Sequence, residues 1–249
     1  MTAVFVHGVP ETPTIWDPLI AELGLDDAIA LQLPGFGCPR PDGFEPTMDG
    51  YAGWLAGELA GVDGPLDLVT HDWGAFLADR VLADRPANVR SWVTDGGDVT
   101  DDFQWHDMAL LWQTPGDGEA FMETFVGGTL DERAALLVGS GVPPEAAADM
   151  AGPIDEVMAE AILVLYRSAT GIGRAWGPGL DEIAVPSLVL EASQDAFRSP
   201  GLARSLAERL GGDLATMPDQ GHWWMLGDPS GAAAAIADFW AGLPAEAPS

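Results

Sequence analysis

Short β-branched and apolar runs recur along the chain at positions 3–6, 28–33, 66–70, 89–94, 186–190 and 213–217, separated by longer stretches of helical periodicity. Apolar runs of this length suit strands buried on both faces, and strands alternating with helices suit a parallel sheet. Helices are expected at 47–59, where a capping-type Thr47 precedes Tyr51, Trp54, Leu55 and Leu59, and at 74–84, 201–210 and 229–243. The pattern predicts an α/β fold with a parallel sheet of about six strands and helices on both faces.

The rhythm breaks once. Between 100 and 180 no run reads as a strand, and helix-like stretches are punctuated by Gly127-Gly128, Pro143-Pro144 and Gly171-Ile172-Gly173. A helical insertion in such a sheet is most simply a lid over the strand ends, where open parallel sheets place their ligands. The expected organisation is a core from 1–99 and 181–249, with the lid at 100–180. The tail 244–249 is expected to fray.

Composition narrows the function. With 249 residues, 47% of them hydrophobic, the chain can build one sizeable core. Ten cations, all Arg, face 39 Asp and Glu for a net charge of −29, which repels phosphate backbones and acidic membrane surfaces. A lone Cys38 cannot form an internal disulfide and reads as a packed thiol. The N-terminus lacks a basic, then apolar leader, and the Ala-rich tract at 231–240 is too short to span a bilayer. A cytoplasmic location and no membrane partner are expected.

The sharpest local signal is Leu68-Val-Thr-His-Asp-Trp-Gly-Ala75, an apolar strand running through a tight turn into a helix. Such a turn exposes its apex side chain, here Asp72, at a helix N-terminus as a nucleophile. A plain helix N-cap is the competing role for Asp72. The first strand ends in His7-Gly-Val-Pro10, a glycine turn able to aim the Val9 amide into the same site. The last strand is followed by Asp219-Gln-Gly-His222, and the one before it by Glu191-Ala-Ser-Gln-Asp195. The order nucleophile, acid, histidine is that of α/β-hydrolases. Asp195 is the expected acid; Glu191, at the end of its strand, and Asp98, beyond the preceding strand, are the alternatives.

With these residues in place the chain resembles the α/β-hydrolase superfamily, and within it the aspartate-nucleophile branch of epoxide hydrolases and haloalkane dehalogenases. The likeness rests on His7-Gly-Val-Pro10, Leu33-Pro-Gly-Phe-Gly37, His71-Asp-Trp-Gly74, Asp195 and Gly221-His222. It implies a sheet shortened at its start, because two strands usually precede the His-Gly strand. It also implies a two-step reaction: Asp72 displaces oxygen or halogen at a saturated carbon, and water activated by His222 and Asp195 hydrolyses the alkyl ester. The Val9 and Trp73 amides would form the oxyanion hole.

The leaving group separates the two chemistries. An opening epoxide yields an alkoxide that needs a proton, which epoxide hydrolases take from lid tyrosines; here Tyr166, followed by Arg167, is the one available, because Tyr51 reads as core. Trp73 could offer its indole N–H to a halide, but Val9 lacks the side-chain donor that many dehalogenases carry there, and no Arg follows the elbow to hold a haloacid. Hydrolysis of a small neutral epoxide to a diol is the first expectation, hydrolytic dehalogenation the second, and a catalytically weak ligand-binding member the third. His7, Trp105, His106 and Trp112 are candidate pocket residues. No cofactor and no metal are expected, because neither His71 nor His106-Asp107 has a second ligand pair. A homodimer through the lid is compatible with the sequence.

Overall fold

The computed structural model describes residues 1–86, 88–100 and 103–244. Every predicted run becomes a strand: β1 (Thr2–Val6), β2 (Ile29–Leu31), β3 (Leu66–Thr70), β4 (Val89–Thr94), β5 (Ser187–Ala192) and β6 (Asp213–Met217). They form one sheet in the order β2-β1-β3-β4-β5-β6, parallel throughout. The central strands are buried along almost their whole length, with Phe5, Leu68, Val69, Trp92 and Val93 at 0% exposure. That is what a sheet covered on both faces requires. Asp67 is a buried acid in β3, and its charge is matched by the Arg90 guanidinium at 2.9 and 2.5 Å and by Ser91 Oγ at 2.5 Å.

Around the sheet lie α1 (Asp17–Leu23), α2 (Met48–Ala60) and α3 (Trp73–Ala83). Between β4 and β5 come α4 (Asp107–Gln113), α5 (Asp117–Gly127), α6 (Leu130–Gly139), α7 (Pro144–Ala151), α8 (Glu156–Ser168) and α9 (Ile172–Trp176), then a 3₁₀ turn at Gly177–Glu182. The chain closes with α10 (Leu202–Leu210), α11 (Trp224–Gly227) and α12 (Pro229–Gly242). Helix α2 starts as its sequence suggests, Thr47 Oγ1 accepting the Gly50 amide at 3.1 Å. Helix α1 has no counterpart in the sequence reading; with seven residues it repeats its apolar face too few times to show a period. Of the tail expected to fray, 245–249 lie outside the described residues. Among the described residues no helix is long and apolar enough to cross a membrane.

Register positions the chemistry. Val6 pairs with Thr70, and Thr70 with Thr94, so β1, β3 and β4 end level with one another. In a parallel sheet their following loops therefore emerge side by side: His7 to Pro10, His71 with Asp72, and Asp95 onward. Ala192 pairs with Met217, so the loops carrying Asp195 and His222 leave from the same edge.

Candidate active site

Strand β3 ends at Thr70 and α3 begins at Trp73, which leaves His71 and Asp72 to make the turn. Asp72 takes φ 48° and ψ −119°, a conformation that costs a non-glycine residue about 1–3 kcal/mol. Two glycines make room for it: a Cβ on Gly8 would overlap the Asp72 side chain, and one on Gly74 would overlap the Val6 carbonyl oxygen. Although Asp72 stands at the N-cap position of α3, its side chain makes no capping bond. Its Oδ1 instead accepts the Val9 amide at 2.9 Å. The helix-cap role is ruled out by this geometry, and the carboxylate faces the turn where the sequence puts an oxyanion donor. Burial raises the Asp72 pKa from 3.8, opposed by the charges of His222 and His71, with the Trp73 amide also favouring the ionised form.

Across from it, His222 Nδ1 lies 2.9 Å from Asp195 Oδ2, and Phe197 N–H donates to Asp195 Oδ1 at 2.7 Å. His222 Nε2 stands 3.8 Å from Asp72 Oδ2, too far for a direct hydrogen bond. Burial acts to raise the Asp195 pKa, but His222 outweighs it and holds the carboxyl down at about 2. On His222 the balance runs the other way: burial acts to lower its pKa, Asp195 raises it, and the net lies above 6.5. The two alternative acids are engaged elsewhere. Glu191 sits within β5 and takes the Thr216 hydroxyl at 3.2 Å; Asp98 receives the Arg198 guanidinium at 2.6 Å on each oxygen.

The cavity over Asp72 has a volume of about 110 Å³ and is walled by Trp112, Phe121, Phe125, Leu137, Tyr166 and Trp223, with His106 and His222 at its polar end. Tyr166 is 2% exposed; burial first and the Asp72 charge second push its hydroxyl pKa well above 10, so it keeps its proton. His106 caps α4 through Nδ1, which accepts the Ala109 amide at 3.2 Å, and burial holds its pKa down at about 4. It is therefore a neutral imidazole carrying its proton on Nε2. Trp105 does not line this cavity. It stacks on Trp73 at 5.7 Å, gives its N–H to the Ala169 carbonyl at 3.1 Å and borders a smaller adjoining space.

His7, expected among the pocket residues, borders neither space. Its ring is fully buried between Gly8 O, which Nδ1 meets at 2.8 Å, and the Leu33 amide, which donates to Nε2 at 3.2 Å. With both nitrogens occupied by backbone and a pKa lowered by burial to about 4, it is a neutral brace between the β1 turn and the turn after β2.

Beneath Asp72 lies a cluster that the sequence reading missed. His71 Nδ1 meets Asp95 Oδ2 at 2.5 Å and its Nε2 meets Glu11 Oε1 at 3.0 Å. Burial acts to lower the His71 pKa, but Asp95 and Glu11 carry it well above 6.5. His71 is an imidazolium clamped by two carboxylates. Glu11, wholly buried, is drawn down to about 2 against its desolvation by the His71 charge. The carboxylates also bind backbone and indoles: Glu11 takes the Gly8 amide and Trp223 Nε1, each at 2.7 Å, while Asp95 takes the Asp72 amide at 3.2 Å and Trp224 Nε1. Glu11, His71 and His222 also offer ligand atoms within 4.8 Å of one another. They do not suit a metal, because a doubly protonated His71 has no lone pair to give.

The family model described as "Alpha/beta hydrolase family" matches residues 3–236. The chain belongs to the α/β-hydrolase family. A search of curated protein sequences finds no match. Solved structures similar to this α/β-hydrolase include a haloalkane dehalogenase DbeA loop variant from Bradyrhizobium elkanii, at 23% identity and TM-score 0.72 over 96% of this chain and 90% of that one. E-2-(acetamidomethylene)succinate hydrolase is similar at 20% identity and TM-score 0.73, over 97% and 91%. Cfl2 from Burkholderia cenocepacia gives 20% identity and TM-score 0.78, over 96% and 87%. At these identities the likeness is one of fold.

Proposed function

We propose that this α/β-hydrolase opens a small neutral epoxide to a diol through an ester on Asp72. The observation that carries the reading is that Tyr166, a buried and protonated phenol, borders the same apolar cavity as the Asp72 carboxylate. Asp72 Oδ1 is held by Val9, so Oδ2 attacks the epoxide carbon. The C–O bond breaks, and the alkoxide takes a proton from Tyr166, with His106 Nε2–H as a second donor. Water then gives a proton to His222 Nε2 and attacks the ester carbonyl carbon, the Val9 amide holding the oxyanion. Collapse frees the diol and the Asp72 carboxylate, and the proton released from water restores Tyr166. Asp195 holds His222 in the tautomer this requires. The helical segment at 100–180 acts as the lid, and the apolar walls and overall acidity favour an uncharged substrate.

One observation favours hydrolytic dehalogenation as the second reading. The indole N–H of Trp112 is buried with no hydrogen-bond partner among the described residues, and Trp112 lines the same cavity as Tyr166, their rings 4.8 Å apart. A buried donor left free suits an anionic leaving group, and haloalkane dehalogenases are among the similar folds. Turnover separates the readings: diol from a terminal epoxide supports the first, bromide release from a bromoalkane the second, and binding without either a ligand-binding protein. Single turnover in heavy-oxygen water is expected to label the peptide containing Asp72; label confined to product would falsify the ester mechanism.

A further inference from the structure

The space around the catalytic pair is divided. Next to the apolar cavity lies a second chamber of about 60 Å³, and Asp72, His106, Phe197 and His222 border both. Phe197 stands between the histidines, its ring 4.9 Å from that of His222 and 5.1 Å from that of His106. Its amide is fixed by the 2.7 Å bond to Asp195, so this partition is tied to the acid of the triad.

The two sides differ in chemistry. The second chamber sets the charged groups of Asp95, Asp98, Asp195 and Arg198 among Phe76, Phe103, Trp105 and Leu202, and Gln104 and Ser199, both exposed, form its rim. The apolar cavity meets solvent on another side, at Leu136, 50% exposed, and Ser140 on and just after α6. A water site needs polar partners and about 10–15 Å³ per molecule, and the second chamber provides both. The first cavity is the less polar of the two, so an aliphatic epoxide is buried there without displacing water from charged groups.

We propose that this second chamber is a water-binding site that feeds hydrolysis of the Asp72 ester, while the organic substrate enters and occupies the apolar cavity. The inference rests on the ester mechanism above. Once the alkyl group fills the apolar side, water from that side is excluded, and the His222 face towards the second chamber is the remaining approach to the ester carbonyl. Water loses one proton to His222 there, its oxygen bonds the Asp72 carboxyl carbon, and the alkyl oxygen leaves with water's second proton, while the first goes on to Tyr166.

The experiment crosses two rim variants, each at an exposed position that tolerates a larger side chain. The full-length enzyme, Ser199→Phe and Ser140→Phe are mixed with butene oxide, and quenched samples are weighed intact to follow formation and decay of the covalent adduct. Ser199→Phe is expected to form the adduct within about twofold of the wild-type rate and to break it down at least about tenfold more slowly, so that adduct accumulates; Ser140→Phe is expected to slow formation about tenfold and leave breakdown within about twofold. Adduct breakdown at the wild-type rate in Ser199→Phe, or formation slowed as much as breakdown, overturns the separate water site while leaving the ester mechanism standing. Absence of adduct in the wild type, both variants and His222→Gln overturns the ester mechanism and this inference with it.

Discussion

The imidazole rings of His71 and His222 lie 4.4 Å apart, and the charge on the first acts on the second: His71 lowers the His222 pKa while Asp195 raises it. A fixed imidazolium thus stands behind the proposed general base. Replacing it with a neutral side chain, as in His71→Gln, removes one charge that lowers the pKa of His222. The acid limb of ester breakdown is then expected to move to higher pH. The same substitution leaves Glu11 and Asp95 unpaired and buried, at a cost of about 3–5 kcal/mol. Urea unfolding at low temperature gives the stability, and adduct decay across pH gives the limb; an unmoved limb would show that His71 carries no charge.

The wild-type pH profile has a sign fixed by the same groups. In the proposed mechanism hydrolysis of the ester needs neutral His222, whose pKa is raised above 6.5, so breakdown is expected to climb with pH through a midpoint above that value. Alkylation needs ionised Asp72, whose pKa is raised from 3.8, and is expected to fall away at a higher pH than an ordinary aspartate would dictate. Separate pre-steady-state rates for the two steps resolve the two limbs.

Tyr166→Phe removes the buried phenol with little change in volume. Epoxide opening is expected to drop about 10²-fold or more, with bromide release from a bromoalkane, if any, unaffected. Single-turnover opening at the wild-type rate would assign the proton to another group, and His106→Phe made alongside would test the neutral imidazole in that role.

Gly8→Ala pushes a methyl group into the Asp72 side chain. Adduct formation is expected to fall far more than global stability, because displacing a reacting carboxylate by an ångström costs on the order of 10²-fold in rate. Thermal unfolding beside adduct kinetics makes the comparison.

Asp79 on α3 is 1% exposed, neither carboxyl oxygen has a hydrogen-bond partner among the described residues, and burial, then Asp98, drive its pKa well above 3.8. A raised carboxyl stabilises the fold below its unfolded pKa and loses that contribution as pH rises through the folded one. Asp79→Asn is therefore expected to raise Tm at alkaline pH, with the gain fading as pH falls towards 4. Glu11 and Asp195 act in the opposite sense, each held at about 2, so their contribution is present at neutral pH and lost as pH drops towards 2. Calorimetric scans from acid to alkaline pH read both trends.

What could be read from the chain depended on the range of the interaction. Six strands were visible because each is a contiguous apolar run, and Asp72, Asp195 and His222 because each follows such a run in a fixed order. Asp195 was separable from Glu191 by strand length alone. The roles of His7 and His71 were not visible. His7 is defined by the Leu33 amide and His71 by Glu11 and Asp95, contacts that exist only once β1 ends level with β2 for the first and with β3 and β4 for the second. The one local hint was Glu11 three residues beyond Gly8, whose amide it accepts.

The clamp on His71 also constrains how this sequence can drift. Glu11, His71 and Asp95 come from three separate loops, and Trp223 and Trp224 at the start of α11 add hydrogen bonds to the two acids, so that no segment satisfies the cluster alone. Losing one acid leaves His71 with a single counter-charge, and losing the histidine leaves two buried acids without a cation. Single replacements at these positions are therefore expected to destabilise the fold, whereas replacing the three charged members together by apolar side chains of matched volume is expected to cost far less.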